Sequence, residues 1–234
     1  VKSRFELHGA TLLTLCILFI PHLSRGAEIS GGIGNDTIYS SQTICFNTIP
    51  VGLTGTTPTG GLGPYSYKWQ SSTTSATTGY TTIGGATSTG YVPAALTATH
   101  WYRRIVTSVL AVDTTAPVQI TVTPVINHAS NTITGTQTIC NNTAPAILTG
   151  STPTGGDGIN YAYTWQSSPD NAAWTTIPGA AGINDTVPPL TATTYFRRIT
   201  SSGNCTDITT SVKVTVSPVI TNDIINTTNL FARV

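Results

Sequence analysis

Catalysis by side chains needs titratable groups held in apposed pairs, and this chain offers few. Glu6 and Glu28 lie near its start, and beyond them stand seven aspartates and two histidines, His100 and His128. The aspartates are scattered, and none is expected at the same position in both halves of the repeat described below. A glycosidase would need two facing carboxylates, and no such pair can be nominated. Gly-x-Ser-x-Gly, a phosphate-cradling loop and a calcium loop of spaced aspartates are all missing from the sequence. So is clustered Cys/His spacing for a metal. The expectation is a protein without catalytic residues, metal or cofactor. Two arginine doublets remain, Arg103-Arg104 and Arg197-Arg198. They could grip a carboxylate or phosphate, but consecutive residues of a strand point to opposite faces, so one arginine per face is the better reading.

The elements that must position these groups follow from an internal repeat. Gln42-Thr-Ile-Cys45 returns as Gln137-Thr-Ile-Cys140, and Leu53-Thr-Gly-Thr-Thr-Pro-Thr-Gly-Gly61 as Leu148-Thr-Gly-Ser-Thr-Pro-Thr-Gly-Gly156. Tyr65-Ser-Tyr-Lys-Trp-Gln-Ser-Ser72 returns as Tyr161-Ala-Tyr-Thr-Trp-Gln-Ser-Ser168. Leu96-Thr-Ala-Thr-His-Trp-Tyr-Arg-Arg-Ile105 returns as Leu190-Thr-Ala-Thr-Thr-Tyr-Phe-Arg-Arg-Ile199. The offset holds at about 95 residues, the length of one small domain. Within each copy the apolar period is two. Tyr65, Tyr67 and Trp69 share one face of a strand, as do Tyr161, Tyr163 and Trp165. About seven strands per copy with a tryptophan on the third give an all-β protein of two tandem immunoglobulin-like β-sandwiches. The core anchors are Trp69, Trp165, Tyr67 and Tyr163. The expected domains are 28–126 and 127–221. Tyr195 and Ile199 are expected to face the core and to draw Arg197 inward along an aromatic ring.

Composition agrees. Only 8% of residues are charged, against roughly 25% in typical proteins, and threonine, a strand former, fills 47 of the 234 positions. The net charge is +1 with no basic run, which excludes the clustered Lys and Arg that nucleic acid requires. Lys2 and Arg4 precede an apolar run over 10–20 and small residues at Ser24, Gly26 and Ala27. That pattern is a secretory signal peptide over 1–27 or a retained apolar segment, too short for a stable membrane span. The chain is therefore expected to be secreted, extracellular or on a cell surface.

Export permits a disulfide, and Cys140 and Cys205, both in the second copy, are its expected partners. Ala111 stands in the first copy where Cys205 stands in the second, so Cys45 has no mate there. It is either a buried thiol, the favoured reading, or a cross-link between chains. Asn-x-Thr sequons fall at Asn35, Asn141, Asn184, Asn204 and Asn226.

The combination of Gln-x-Ile-Cys, Pro-x-Gly-Gly, Tyr-x-Tyr-x-Trp-Gln-x-Ser, Leu-Thr-x-Thr-x-Tyr-x-Arg-Arg and Val-x-Val-x-Pro resembles the Ig-like repeats of bacterial surface adhesins and gliding-associated proteins. That resemblance implies export and surface display and transfers no ligand. The Asp-Thr-x segments at Thr37, Thr114 and Thr186 are similar to the O-glycosylation motif of some gliding bacteria. Residues 222–234 look like a third repeat's opening strand. With Ile224, Ile225, Leu230 and Phe231, that strand could complete a sheet edge on a neighbour. The expected function is a subunit of an extracellular, pilus-like filament, a homopolymer joined head-to-tail by exchanged strands. The alternative is a cell-surface adhesin fragment binding surface glycans or a host or biofilm surface.

Overall fold

The computed structural model describes residues 31–218. The leader at 1–27 and the tail at 222–234 lie outside the described residues, and with them Asn226 and the assembly-strand residues Ile224, Ile225, Leu230 and Phe231. The described chain forms two β-sandwiches of matching topology. The first contains β1 (Ile33–Gly34), β2 (Ile38–Tyr39), β3 (Gln42–Cys45), β4 (Thr54–Gly55), β5 (Thr59–Gly60), β6 (Ser66–Ser72), β7 (Thr81–Thr82), β8 (His100–Thr107), β9 (Val112–Thr114) and β10 (Val118–Thr123). The second contains β11 (Ile133–Thr134), β12 (Gln137–Cys140), β13 (Thr149–Gly150), β14 (Ala162–Ser168), β15 (Thr175–Thr176), β16 (Thr194–Ser202), β17 (Cys205–Ile208) and β18 (Val212–Ser217).

Each sandwich has one extended sheet, ordered β3-β10-β8-β6-β7 in the first and β12-β18-β16-β14-β15 in the second. The first strand of each runs parallel to the last, with Cys45 beside Thr123 and Cys140 beside Ser217. The facing layer is made of short ladders (β1 with β5, β2 with β4, β11 with β13) and of single bridges such as Leu148 to Asp185. Two β layers closing on one tryptophan-centred core make this an immunoglobulin-like arrangement. Trp69 and Trp165 are fully buried. Each ring N–H finds a carbonyl at 2.9 Å, Ser88 O and Gly182 O respectively, so the aromatic bulk is buried without stranding its polar edge.

The repeated glutamine has a structural task. Gln137 donates to Gly135 O and Ala146 O and accepts from Ala146 N–H, as Gln42 does with Ser40 O, Val51 O and Val51 N–H. It ties the first strand of the sheet to the loop that follows. Gln137→Ala should cost about 1–2 kcal/mol. Urea denaturation should show a lower midpoint with an unchanged slope.

One expectation is reversed. On β16 the inward residues are Phe196, Arg198, Thr200 and Ser202, not Tyr195, Arg197 and Ile199. Apolar side chains occupy both parities of Tyr-Phe-Arg-Arg-Ile, so periodicity alone could not choose a face. Pairing of Phe196 with the buried Val212 fixes the choice. Arg197 does lie over an aromatic ring, that of Trp174, at 4.2 Å, but on the outer face.

Candidate functional site

Two polar constellations stand out. The first is a buried arginine in each core, presented by the central strand of the extended sheet. Arg104 and Arg198 are fully buried. Arg104 donates to both Thr89 O and Thr56 O at 2.8 Å, and its Nε and Nη2 converge on Asp36 Oδ1. The Tyr67 ring covers the guanidinium at 5.1 Å. In the second sandwich Arg198 donates to Ile183 O, Ser151 O and Asn131 Oδ1, each at 2.8 Å, beneath Tyr163 at 4.6 Å. Tyr67 and Tyr163 are thus half-buried lids over arginines rather than central core residues. Desolvation lowers the Arg198 pKa below its ordinary value, partly offset by Tyr163.

Asn131 takes the place of Asp36 and passes the charge outward, its amide donating to Asp207 Oδ2 at 2.8 Å. His128 lies 3.1 Å from the same carboxylate. Asp113 and Asp207 occupy equivalent register positions, opposite Val106 and Thr200. The expectation that no acid recurs is therefore corrected: the offset of 94 that sets Ala111 against Cys205 also sets Asp113 against Asp207. Both arginines are enclosed by protein and spent on these internal partners, while His128 at the outer end of the second chain of contacts is exposed. Among the described residues no group of three or more His, Cys, Asp or Glu could hold a metal ion. The arginine doublets divide one per face, with Arg103 stacked on Tyr80 at 3.9 Å and bonded to Gln70 on the outside.

The second constellation is the junction between the sandwiches. Cys45, at the end of β3, is bonded to Cys205, at the start of β17, with Cα atoms 5.0 Å apart across a sequence separation of 160. Cys140 is an exposed free thiol. The expected Cys140–Cys205 disulfide is thereby corrected. In the second sandwich Cys140 lies beside Ser217, where the chain leaves the domain, whereas Cys205 caps a hairpin against the first sandwich. The two sulfurs sit at opposite poles, and a disulfide needs Cα atoms within about 7 Å. Cys45, expected as a buried thiol or a cross-link between chains, instead joins two domains of one chain.

The sequence builds this junction closely. Val125 and Ile126 follow Pro124 directly into the second sandwich. Ile126 bridges to Gly155, Asn127 N–H donates to Thr154 O at 2.8 Å, and Gly156 N–H donates to Val125 O at 3.3 Å. The linker is thus the opening strand of the next domain, paired in it as Ile33 pairs with Gly60 in the first. Cys205 Sγ rests 3.2 Å from Pro124 O, and Asn204 Nδ2 donates to Thr43 O. Gly203 has φ +54, and a Cβ on it would come 2.7 Å from Thr123 Cγ2. Gly203→Ala combines left-handed strain with that clash. It should cost about 1–2 kcal/mol and slow re-formation of the disulfide after reduction, which refolding followed by thiol trapping would read.

Between the domains lies an open groove of about 510 Å³, bordered by Thr43, Thr123, Gly155, Asp157 and Gly203. The Asp157 carboxyl is held well below the usual carboxylate range by the backbone N–H groups of Ile159 and Asn160 and by the Ser202 hydroxyl. A depressed native pKa contributes stability above the unfolded value of about 3.9, and that contribution is lost only as pH falls through the native one. The amide resonances of Ile159 and Asn160 should therefore hold steady from neutrality to about pH 4 and move only in stronger acid.

The sequon and Asp-Thr residues divide. Thr37, Thr114, Thr186, Asn35, Asn141 and Asn184 are exposed. Asn204 is also exposed, but the amide nitrogen that would carry a glycan is engaged there with Thr43 O at the junction, as that of Asn35 is with Thr57 O at 3.1 Å.

The chain belongs to the family described as Domain of unknown function (DUF8696), which it matches twice, over residues 34–124 and 129–218. No curated protein matches it. Among solved structures it is similar to murine CEACAM1b, at 13% identity and TM-score 0.41, over 79% of this chain and all of that one. It is also similar to the N-terminal four Ig domains of Dscam1 isoform 1.9, at 13% identity and TM-score 0.30, where it spans 47% of that chain.

Proposed function

We propose that this protein is an extracellular structural module, a stiffened spacer that holds successive Ig-like domains at fixed separation and orientation on a cell-surface adhesin or filament. The observation that carries this reading is the Cys45–Cys205 bond between neighbouring sandwiches. A disulfide persists in oxidising, extracytoplasmic surroundings. Here it fixes the relation between two domains that already have their own cores. Two independent sandwiches joined by a short linker would otherwise swing. Reinforcement of a joint is what a function under tension or in surface display needs.

Head-to-tail filament assembly fits such a rod. Exchange of terminal strands is the less favoured route to it, because the first sandwich fills its own edge, pairing Ile33 and Gly34 with Gly60 and Thr59. Glycans on the exposed threonines and asparagines would hydrate a surface that has few charges. The test is small-angle scattering of the oxidised and reduced protein. The oxidised chain should give one narrow distribution of interdomain distances that broadens on reduction; equal breadth in both states would reject the stiffened joint.

A further inference from the structure

Cys140 occupies the position in the second sandwich that Cys45 occupies in the first. Both end a Gln-Thr-Ile-Cys strand running parallel to the domain's last strand, opposite Thr123 in one case and Ser217 in the other. In the first sandwich that position is bonded to the hairpin of the following domain. In the second it is an exposed thiol. The surroundings repeat as well. Thr43, Cys45, Thr123 and Pro124 receive the Cys205 hairpin, and Thr138, Cys140, Ser217 and Pro218 stand in their places. Thr123 is buried beneath the hairpin, and Ser217 at the equivalent place is half-buried. The sequence beyond repeats too, because Pro218-Val219-Ile220 copies Pro124-Val125-Ile126, the segment that leads into the second sandwich.

We infer that Cys140 is the acceptor half of a second interdomain staple, and that its partner is a further domain of this family bearing a cysteine at the place of Cys205 in its hairpin. A second copy of this chain cannot supply that partner through its first sandwich, where Ala111 stands at the hairpin position, and its Cys205 is already bonded. Bond formation converts two thiols into one disulfide and releases two protons and two electrons. The electrons reduce one external small-molecule disulfide, such as glutathione disulfide, to two thiols through a mixed-disulfide step. The inference rests on reading the junction as a staple, and it makes that staple periodic, so that each domain is locked to the next.

The test is a chain in which residues 1–220 are followed directly by a second copy of residues 127–218, the copy carrying Thr206→Ser as a mass tag and Cys140→Ser so that the original Cys140 is the one counted. After exposure to a glutathione redox buffer, non-reducing peptide mapping should find Cys140 bonded to the tagged hairpin cysteine. Alkylation of Cys140 should fall by roughly tenfold or more relative to the unextended chain, as expected when a thiolate is consumed. Replacing Cys205→Ser in the appended copy alone should restore alkylation while the original Cys45–Cys205 bond persists. If that bond is present but Cys140 still alkylates at its original rate, or pairs with any cysteine other than that of the appended hairpin, the inference is overturned and the single staple stands. If the Cys45–Cys205 bond is itself missing, both readings fall.

Discussion

Asp36→Ala is expected, in the reduced chain, to cost the first sandwich about 3–5 kcal/mol and to leave the second unchanged. The side chains of Asp36 and Arg104 are both fully enclosed. Removing the carboxylate leaves a guanidinium in the core with only Thr89 O, Thr56 O and the Tyr67 ring to receive it. An unpaired buried charge is among the few single changes that approach the whole stability of a small domain. Asp36→Asn should be far milder, about 1–2 kcal/mol, because the second sandwich already uses an asparagine there, with Asn131 Oδ1 accepting from Arg198 at 2.8 Å. Trp69 and Trp165 report on separate cores. Denaturation of the reduced chain, followed by fluorescence with Trp101 and Trp174 replaced by Phe and either Trp165→Phe or Trp69→Phe added, would assign the loss to one domain. Equal losses from Ala and Asn would show that the carboxylate's charge, rather than a hydrogen-bond acceptor, holds the arginine.

Cys45→Ser should remove the coupling between the domains. The bond closes a loop of 160 residues, and the chain-entropy relation assigns such a loop on the order of 5 kcal/mol of restraint on the unfolded chain. Both cores lie within or beside that loop, so the loss is shared. Calorimetry should show the oxidised chain unfolding near a single temperature and the variant in two transitions, each lower. Reduction of the unmodified protein should reproduce the variant, whereas Cys140→Ser should leave unfolding unchanged.

The repeat, the all-β class and the buried tryptophans were legible because each follows from period-two patterning and self-similarity. Three features were not. Face selection on Tyr-Phe-Arg-Arg-Ile failed because apolar residues occur at both parities, and only the pairing partner of Phe196 decides between them. The Arg198 relay was hidden because Asn131 replaces the acid of its counterpart, so no charge pair shows in the second repeat. The disulfide was misassigned because loop length within a domain says nothing about which pole a cysteine occupies. A usable signal was present even so. Cys45 and Cys140 repeat, Cys205 does not, and a bond internal to the sandwich would require its mate in both copies.

Non-reducing peptide mapping of the chain, with free thiols alkylated beforehand, tests the account most directly. A fragment joining the Cys45 and Cys205 peptides, together with alkylated Cys140, is the expected result. A fragment joining Cys140 to Cys205, with Cys45 alkylated, would contradict it.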